Sequence, residues 1–217
     1  MRVLTFTFGE YQTNTYFCFD DDGFCAVIDP GMDGEAVLNK LQERGLHPSH
    51  ILLTHGHFDH VLSVKAVQAA TQAKVCIHFA DAPLLSDPGK NAAVYFFRGD
   101  TSRYPSASPD VLLHDGDEVV CGSMTFKVIH TPGHTPGSVC FLCEDTLFCG
   151  DTVFAYGYGR TDLAGGNPEA LALSLERLSE IPGNLKLCPG HGNSAHLDGC
   201  RNSLGVYAGI LRMETKG

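Results

Sequence analysis

One histidine-rich loop, residues 54–60, constrains the fold of this chain more than any other stretch. Its sequence, Thr-His-Gly-His-Phe-Asp-His, brings four strong metal-ligand side chains within six residues: His55, His57, Asp59 and His60. The apolar triplet 51–53 before it is typical of a buried strand. We therefore expect the loop at the carboxyl end of that strand, where open α/β folds place their chemistry. Neutral imidazoles beside a carboxylate suit a borderline-soft divalent ion such as Zn²⁺.

The composition predicts one globular domain that spans residues 1–217. A chain of 217 residues, 43% of them hydrophobic, can bury one sizeable core. A formal net charge of −10, with only 15 scattered Lys and Arg residues, argues against a nucleic-acid partner and leaves a small-molecule substrate. The nine cysteines lie mostly in apolar segments, so we expect core residues, including Cys140 and Cys143 on opposite faces of one strand. Composition indicates no particular oligomeric state.

The amino terminus and the hydropathy pattern predict a cytoplasmic location. The first residues show neither a long apolar run nor a small-residue cleavage site, so we expect no signal peptide. No stretch of the sequence approaches the roughly 20 apolar residues of a membrane span, so we expect no membrane partner.

Strand and helix patterns alternate in both halves of the chain. Short β-rich or apolar runs predict strands at 3–8, 15–19, 24–28, 51–53, 75–77, 118–121, 125–129, 138–142, 147–149 and 186–188. Helical spacing predicts helices at 34–44, 63–71, 197–213 and from Pro168 onward. Strands followed by a helix, twice over, indicate an α/β chain with two packed sheets and helices outside.

The stretch 87–109 breaks this pattern with Gly, Pro, Ser and Asn around the aromatic run Tyr95-Phe96-Phe97. Irregular stretches of this length are usually functional lids or flexible segments. We interpret it either as a surface insertion close to the site or as a helical turn that plugs the core, and we prefer the second.

Three further ligand-type residues each follow an apolar strand in the second half. His134 lies in His-Thr-Pro-Gly-His-Thr-Pro-Gly, Asp151 in Gly-Asp-Thr, and His191 in Pro-Gly-His-Gly. Small residues beside each of them let the backbone approach closely. Their shared position after strands predicts one site, formed together with the loop 54–60.

These motifs, in this order, resemble those of metallo-β-lactamase-fold hydrolases, and most closely the glyoxalase II (hydroxyacylglutathione hydrolase) branch. The resemblance covers nearly the whole chain. It implies a four-layer αββα sandwich with two divalent metal ions at one edge, zinc first, with iron or manganese as alternatives. The implied ligands are His55, His57 and His134 for one ion, Asp59, His60 and His191 for the other, and Asp151 as a bridge between them.

The resemblance also implies a chemistry with two catalytic carboxylates, Asp59 and Asp151. Two divalent ions lower the pKa of water and so supply a hydroxide that attacks the carbonyl of a thioester such as S-lactoylglutathione. Asp59 would add proton handling to its role as a ligand. Asp29 resembles the family's acid that orients a metal ligand, and capping of the turn before Pro30 is the alternative role.

One departure from glyoxalase II concerns glutathione. That enzyme carries a C-terminal helical region that supplies basic groups for glutathione, whereas this chain ends about twenty-five residues after His191. The chain therefore resembles the short, single-domain bacterial form. The run 157–162 is characteristic of that group and offers Tyr158 and Arg160 as substrate-binding residues. Arg160 would hold a substrate carboxylate or, alternatively, form an ion pair with Asp162.

Other activities use the same fold. A persulfide dioxygenase would need one iron, held by His55, His134 and Asp151. A lactonase would use the same attack on a cyclic ester. β-Lactam hydrolysis is less expected, because the true β-lactamases lack a bridging aspartate at the position of Asp151. The complete ligand set favours a two-ion hydrolase over the oxygenase.

Overall fold

Two six-stranded sheets form the centre of the structure, a computed structural model that describes residues 1–31, 33–99, 101, 104 and 106–214. The first sheet contains, in spatial order, β1 (Arg2–Phe8), β2 (Thr13–Phe19), β3 (Phe24–Ile28), β4 (His47–Leu52), β5 (Lys74–His78) and β6 (Val111–Leu113). Strands β1 to β3 pair antiparallel, whereas β3 to β6 pair parallel. The carboxyl ends of β3 and β4 therefore meet at one edge, together with the start of β2.

The second sheet comes from the remainder of the chain. Its strands are β7 (Glu118–Cys121), β8 (Met124–His130), β9 (Val139–Cys143), β10 (Thr146–Gly150), β11 (Lys186–Pro189) and β12 (Ala195–His196), again in spatial order. Its pairs are antiparallel except that of β10 with β11, which is parallel. The loops that follow β10 and β11 consequently leave the sheet at the same edge.

The helices begin and end at residues suited to those positions. They are α1 (Gly34–Glu43), α2 (Phe58–Val61), α3 (Val64–Thr71), α4 (Ala93–Phe96), α5 (Pro168–Ser179), α6 (Leu197–Glu214) and one 3-10 helix (Phe79–Leu85). Asp33 accepts hydrogen bonds from the first turn of α1, and Asn167 does so for α5, which begins with Pro168. None of the described helices is long and apolar enough to cross a membrane.

Alternating side chains give each sheet two hydrophobic faces. On β2, Tyr16 packs between the sheets, whereas Phe17 packs with the apolar residues of α1 and α3 on the outside. On β10, Phe148 packs between the sheets and Leu147 packs with α5 and α6. The resulting order of helices, sheet, sheet and helices confirms the predicted αββα sandwich. All nine cysteines are free and buried, as predicted, and Cys140 and Cys143 belong to different cores.

The aromatic run of the stretch 87–109 forms the helical turn α4 beside the site. Phe97 packs against the core outside the first sheet, which agrees with the preferred interpretation. Phe96 borders the cavity that contains the predicted ligands, so the segment also lies close to the site. Residues 100, 102, 103 and 105 of this stretch lie outside the described residues.

Most predicted elements occur within one or two residues of their expected bounds. The sequence did not predict four short elements: α2, the 3-10 helix, β6 and β12. Each contains only two to seven residues. Elements of this length show too few repeats for a hydrophobic period to appear.

A histidine stack at the end of β5 makes the stability of the fold depend on pH. His78 is buried, and its Nδ1 accepts a hydrogen bond from the backbone N–H of Ala80 at 3.4 Å. The ring of His78 stacks on that of His130, with centroids 4.1 Å apart. Burial, reinforced by His130 and His114, lowers the pKa of His78 to about 4.

We predict that His78 destabilises the protein in acid. An unfolded histidine titrates near pH 6.5, so between about pH 6.5 and 4 the unfolded chain binds a proton that folded His78 does not. The titration of His78 therefore has no effect on the free energy of unfolding above pH 6.5 and lowers that free energy as the pH falls. The substitution His78→Asn keeps a cap for the 3-10 helix and removes the titration. The urea midpoint of the wild type should therefore fall relative to that of His78→Asn between about pH 7.5 and 5. Equal pH slopes for the two proteins would contradict this origin.

Candidate metal centre

All seven predicted ligands lie at the edge where the carboxyl ends of β3, β4, β10 and β11 meet. The first half of the chain supplies four of them from the loop after β4 and from α2: His55, His57, Asp59 and His60. The second half supplies the others from the loops that follow β8, β10 and β11: His134, Asp151 and His191. The two halves of the chain therefore meet in one site.

Three histidines form the first group of possible ligands. Nδ1 of His57 lies 2.8 Å from Nε2 of His134. The ring of His55 lies edge-on to both, with centroids 4.9 Å from His57 and 4.8 Å from His134. One nitrogen of each ring lies within 4.8 Å of the others, so a single cation could contact all three.

Asp59, His60 and His191 form the second group. Oδ2 of Asp59 lies 3.3 Å from Nε2 of His191 and 3.7 Å from Nε2 of His60. The two Nε2 atoms of His60 and His191 are 3.4 Å apart. Each residue again directs one donor atom to a common point.

The carboxylate of Asp151 lies between the two groups. Its Oδ2 is 3.6 Å from Nε2 of His134 and 3.4 Å from Nε2 of His191. Its Oδ1 is 3.5 Å from Nε2 of His60. Because one carboxylate reaches histidines of both groups, Asp151 could contribute to both, as the predicted bridge would.

Asp29 fixes which nitrogen of two ligand histidines carries the hydrogen. Nδ1 of His60 lies 2.9 Å from Oδ2 of Asp29, and since a carboxylate only accepts, Nδ1 is the donor. Thr54 donates its hydroxyl to the same oxygen at 2.5 Å and can therefore accept from Nδ1 of His55 at 3.1 Å. In the neutral form of each ring, the nitrogen without a hydrogen is therefore Nε2. Asp29 thus contacts a predicted ligand, and its orienting role stays a prediction beside the capping alternative.

Burial and neighbouring charges separate the histidines into two electrostatic classes. Burial, with the surrounding histidines, lowers the pKa of His55 well below its usual range and that of His57 to about 3. Burial also opposes charge on His60, but neighbouring carboxylates, Asp59 foremost, raise its pKa to about 9. Burial opposes charge on His191, and hydrogen bonds to Asp151 and Asp59 raise its pKa to about 11. The carboxylates therefore attract positive charge to the second group.

The residues present fit bound divalent ions. Among the described side chains, three buried polar atoms have no hydrogen-bond partner: Nε2 of His55, Nε2 of His57 and Oδ1 of Asp151. A buried unpaired polar atom is costly, and metal coordination would satisfy Nε2 of His55 and Oδ1 of Asp151. His57 faces His134 through its other nitrogen, Nδ1. A set of five imidazoles and two carboxylates suits zinc, iron or manganese. Asp29 also lies near His55 and His60, but its oxygens already accept hydrogen bonds from Thr54 and His60, so it is not a ligand.

The sequence analysis missed a polar segment at the start of β2 that supports the ligand loops. Thr13 donates its hydroxyl to Oδ2 of Asp59 at 2.9 Å. Asn14 donates to the backbone oxygens of Pro189 and Gly192 on either side of His191, at 3.0 and 2.9 Å. The available signal was a polar run, Thr-Asn-Thr, at the start of a strand whose other residues are mostly apolar.

Asp81 is the second residue that the sequence analysis missed. This carboxylate in the 3-10 helix is fully buried and joins the two ligand loops. Its Oδ2 accepts from the backbone N–H of Gly56 at 2.9 Å and from the hydroxyl of Thr135 at 2.7 Å, and its Oδ1 accepts from the N–H of Gly137 at 2.6 Å. A Cβ at Gly137 would overlap the backbone of Asp81, so only glycine permits this approach. Burial raises the pKa of Asp81, although these three hydrogen bonds oppose the shift.

The two predicted substrate-binding residues occupy different surroundings. Arg160 lines the cavity at the ligands, and its guanidinium pairs with Asp162 through two hydrogen bonds of 2.6 and 2.7 Å. Its backbone oxygen accepts from Nδ1 of His134 at 2.7 Å, which directs Nε2 of that ring into the site. The ring of Tyr158 packs on Tyr207 of α6, 5.3 Å between centroids, and is not among the described residues that line the cavity. Substrate binding by either residue stays a prediction.

We predict that Asp81→Asn weakens metal binding more than it weakens the fold. The amide offers one acceptor oxygen where two are needed, so one of the two ligand loops loses its hydrogen bond. Loss of such supporting contacts typically lowers metal affinity by about 10- to 100-fold. Affinity is measured by competition with a chromogenic chelator, and stability by melting of the metal-free protein.

Asp20→Asn is the matched control for this variant. Asp20 is also buried and accepts from the backbone N–H groups of Phe24 and Ser123, at 3.0 and 2.9 Å, but beyond the opposite end of β2 from the site. The melting temperatures of the two variants should fall by similar amounts, and only Asp81→Asn should bind metal more weakly. Equal metal affinities in the two variants would contradict the role of Asp81.

Comparison with known proteins gives the family. Residues 8–191 match the model of the metallo-beta-lactamase superfamily. The "Probable metallo-hydrolase YqgX" of Bacillus subtilis is 35% identical over 85% of this chain and 87% of its own length. A "Hydroxyacylglutathione hydrolase" of Methylococcus capsulatus is 39% identical over 78% of this chain but over only 57% of its own length.

Two solved structures share almost the whole fold. The crystal structure of "BLEG-1 B3 metallo-beta-lactamase" has a TM-score of 0.86 and 34% identity, covering 93% of this chain and 97% of that chain. The crystal structure of "TTHA1623 in a di-iron-bound form" has a TM-score of 0.80 and 36% identity, covering 91% of this chain and 96% of that chain. The match of residues 8–191 to the family model and the 35% identity to YqgX show that this chain belongs to the metallo-β-lactamase superfamily.

Proposed function

We propose that this protein is a two-ion metallo-hydrolase that cleaves thioesters. The observation that carries the proposal is Asp151, whose carboxylate lies within 3.6 Å of histidines from both ligand groups. A bridging carboxylate is useful only where two ions are held side by side. We propose zinc as the resident metal, with iron or manganese as alternatives. The similarity to a protein described in a di-iron-bound form supports two ions and keeps iron among the candidates.

The protein's own residues prepare the site for hydrolysis. When bound, two divalent ions lower the pKa of water and polarise a carbonyl oxygen. Asp29 and the backbone oxygen of Arg160 hold Nδ1 hydrogens and so keep Nε2 of His60 and His134 free for coordination. Asp59 and Asp151 supply negative charge that balances the cations. The hydroxyl of Thr13 orients Asp59 through Oδ2.

Asp59 is the residue that we assign to proton transfer. It is the only carboxylate besides Asp151 among the described residues that line the cavity. Its Oδ2 accepts a hydrogen bond from the hydroxyl of Thr13 at 2.9 Å, which holds the carboxylate in place beside the ligands. Asp151 is less suited to this role, because both of its oxygens lie close to the ligand histidines.

The thioester preference rests on relatives and on the sequence resemblance. The similarity to a hydroxyacylglutathione hydrolase supports thioester hydrolysis. This chain covers 57% of that relative, so recognition of glutathione does not transfer with the similarity. A cytoplasmic location and a small-molecule substrate, both expected from composition, belong to the same proposal.

These observations bear differently on two rival activities. A one-iron persulfide dioxygenase would use His55, His134 and Asp151 and would have no need for the second group. That group is complete, with Asp59 3.3 Å from His191, which favours two ions. β-Lactam hydrolysis has gained support from the 34% identity to a B3 metallo-beta-lactamase, so β-lactams belong in the same assays as thioesters and lactones.

We predict that Asp59→Asn retains two ions in metal-saturated buffer but loses turnover. The amide keeps an oxygen near His191 and removes the group that receives the proton. General acid–base steps of this kind contribute about 10²–10⁴-fold, and we expect kcat for a thioester to fall within that range. Metal content is measured in the same sample by elemental analysis. An unchanged kcat at full metal content would remove the proton-transfer role of Asp59.

The function itself is tested by metal analysis of the purified protein beside four activity assays. These measure hydrolysis of thioesters, lactones and β-lactams, and persulfide-dependent oxygen uptake. Two ions per chain and a kcat/KM for a thioester at least tenfold above those for the other substrates are the expected result. One iron per chain with persulfide-dependent oxygen uptake would overturn the proposal, as would a preference for β-lactams or lactones.

A further inference from the structure

One wall of the cavity at the ligands is apolar. The cavity has a volume of about 170 Å³ and exposes five of the seven predicted ligands on one side. The other described residues that line it are Tyr11, Phe58, Ala92, Phe96, Leu163 and Arg160. Binding sites commonly combine such an apolar surface with a few polar groups that fix the orientation of the ligand.

Three aromatic rings of this wall pack against one another, and one of them belongs to the ligand loop. Phe58 lies between His57 and Asp59 in the sequence and is buried. Tyr11 meets Phe58 edge-on, with centroids 4.9 Å apart, and meets Phe96 in the same way at 5.4 Å. Phe58 and Phe96 are also 4.9 Å apart. The aromatic surface therefore has a fixed position relative to the ions that the loop would hold.

Hydrogen bonds around Asn91 hold Phe96 in place. Asn91 is fully buried, donates to the backbone oxygen of Leu84 at 2.9 Å and accepts from the N–H of Ala93 at 3.0 Å. Its own backbone oxygen accepts from the N–H of Phe58 at 3.0 Å. Although the segment is anchored in this way, Phe96 remains 41% exposed. An aromatic ring held against a cavity and left exposed provides a binding surface.

The charges at this wall do not suit glutathione. Apart from the ligand residues, Arg160 is the only charged residue among the described residues of the lining. Its guanidinium already forms two hydrogen bonds with Asp162. A volume of about 170 Å³ is close to the roughly 150 Å³ of an engineered protein cavity that binds benzene. The wall therefore suits one small apolar group rather than a charged tripeptide.

We propose that the substrates are thioesters with an apolar acyl group, a single aromatic ring or a short branched chain, which lies against Tyr11, Phe96 and Leu163. This proposal rests on the thioester hydrolase function proposed above. The acyl group is the part that fits, because the thiol of a natural thioester is the larger portion and needs the open side of the cavity. Hydrolysis adds the oxygen of water to the acyl carbon and breaks the carbon–sulfur bond, so that a carboxylic acid and a thiol leave.

The first test compares two thioesters of one small neutral thiol, N-acetylcysteamine, with phenylacetyl and lactoyl as acyl groups. Burial of a phenyl group corresponds to about tenfold or more in affinity, so kcat/KM should favour phenylacetyl by at least that factor. Phe96→Ala should lower this ratio about tenfold, and Phe96→Leu should retain most of it. Tyr95→Ala is the matched control, because Tyr95 is the neighbouring aromatic residue, is 67% exposed and is not among the lining residues. It should leave the ratio unchanged.

A second measurement separates this proposal from the function on which it rests. Binding of phenylacetate and of lactate to the metal-loaded protein is measured by calorimetry, which needs no turnover. Phenylacetate should bind about tenfold more tightly than lactate, and Phe96→Ala should remove this difference. If neither thioester is hydrolysed but this binding pattern appears, the thioester function fails and the apolar subsite stands. Equal binding of the two acids, or a preference unaffected by Phe96→Ala, would overturn the subsite.

Discussion

The carboxylate of Asp29 is the interaction on which the geometry of the site depends most. It accepts the N–H and the hydroxyl of Thr54 and the Nδ1 hydrogen of His60, at 2.8, 2.5 and 2.9 Å. Through Thr54 it also sets the orientation of His55, so one buried residue directs a histidine of each ligand group. Its backbone adopts φ = 47°, a left-handed conformation that aspartate tolerates better than most residues. Such strain persists only where surrounding contacts determine the conformation, and here they belong to the ligands.

A site divided between two halves of a chain also needs supports that join the halves. Asp81 joins the loops of Gly56 and Gly137, and Asn14 joins the first sheet to the loop around His191. Both side chains are buried and form hydrogen bonds with backbone groups. A neighbouring side chain cannot take over these hydrogen bonds by changing its conformation. Each ligand group draws residues from both halves of the chain, so these supports position the donors of each group relative to one another. This is preorganisation in the structural sense, because the protein has fixed the donor positions in advance.

The sequence predicted the layered architecture and the seven ligand candidates that the fold brings together, but not the supports or the cavity wall. Histidine and aspartate at dense spacing after apolar strands indicate metal binding directly, because few other chemistries need them together. Asn14 and Asp81 form hydrogen bonds with backbone groups 175 and 56 residues away in the sequence. Nothing in the local sequence specifies those partners. Phe96 is a similar case: its aromatic run was visible, but which of its rings faces the site depends on how the hydrogen bonds of Asn91 anchor the segment. Contacts at such sequence separations become visible only when the chain is folded.

The ligands and the residues of the cavity wall determine different properties of the activity. The ligand set specifies how a carbonyl is attacked, and it serves many substrates, which is why a superfamily can share it while its members differ in chemistry. Selection among substrates has to come from residues that contact the remainder of the molecule. In this chain we propose the aromatic wall of Tyr11, Phe58 and Phe96 for that contact, with Arg160 beside it at the cavity. Tyr11, Phe96 and Arg160 lie outside the ligand motifs, so a match in those motifs alone cannot determine the substrate.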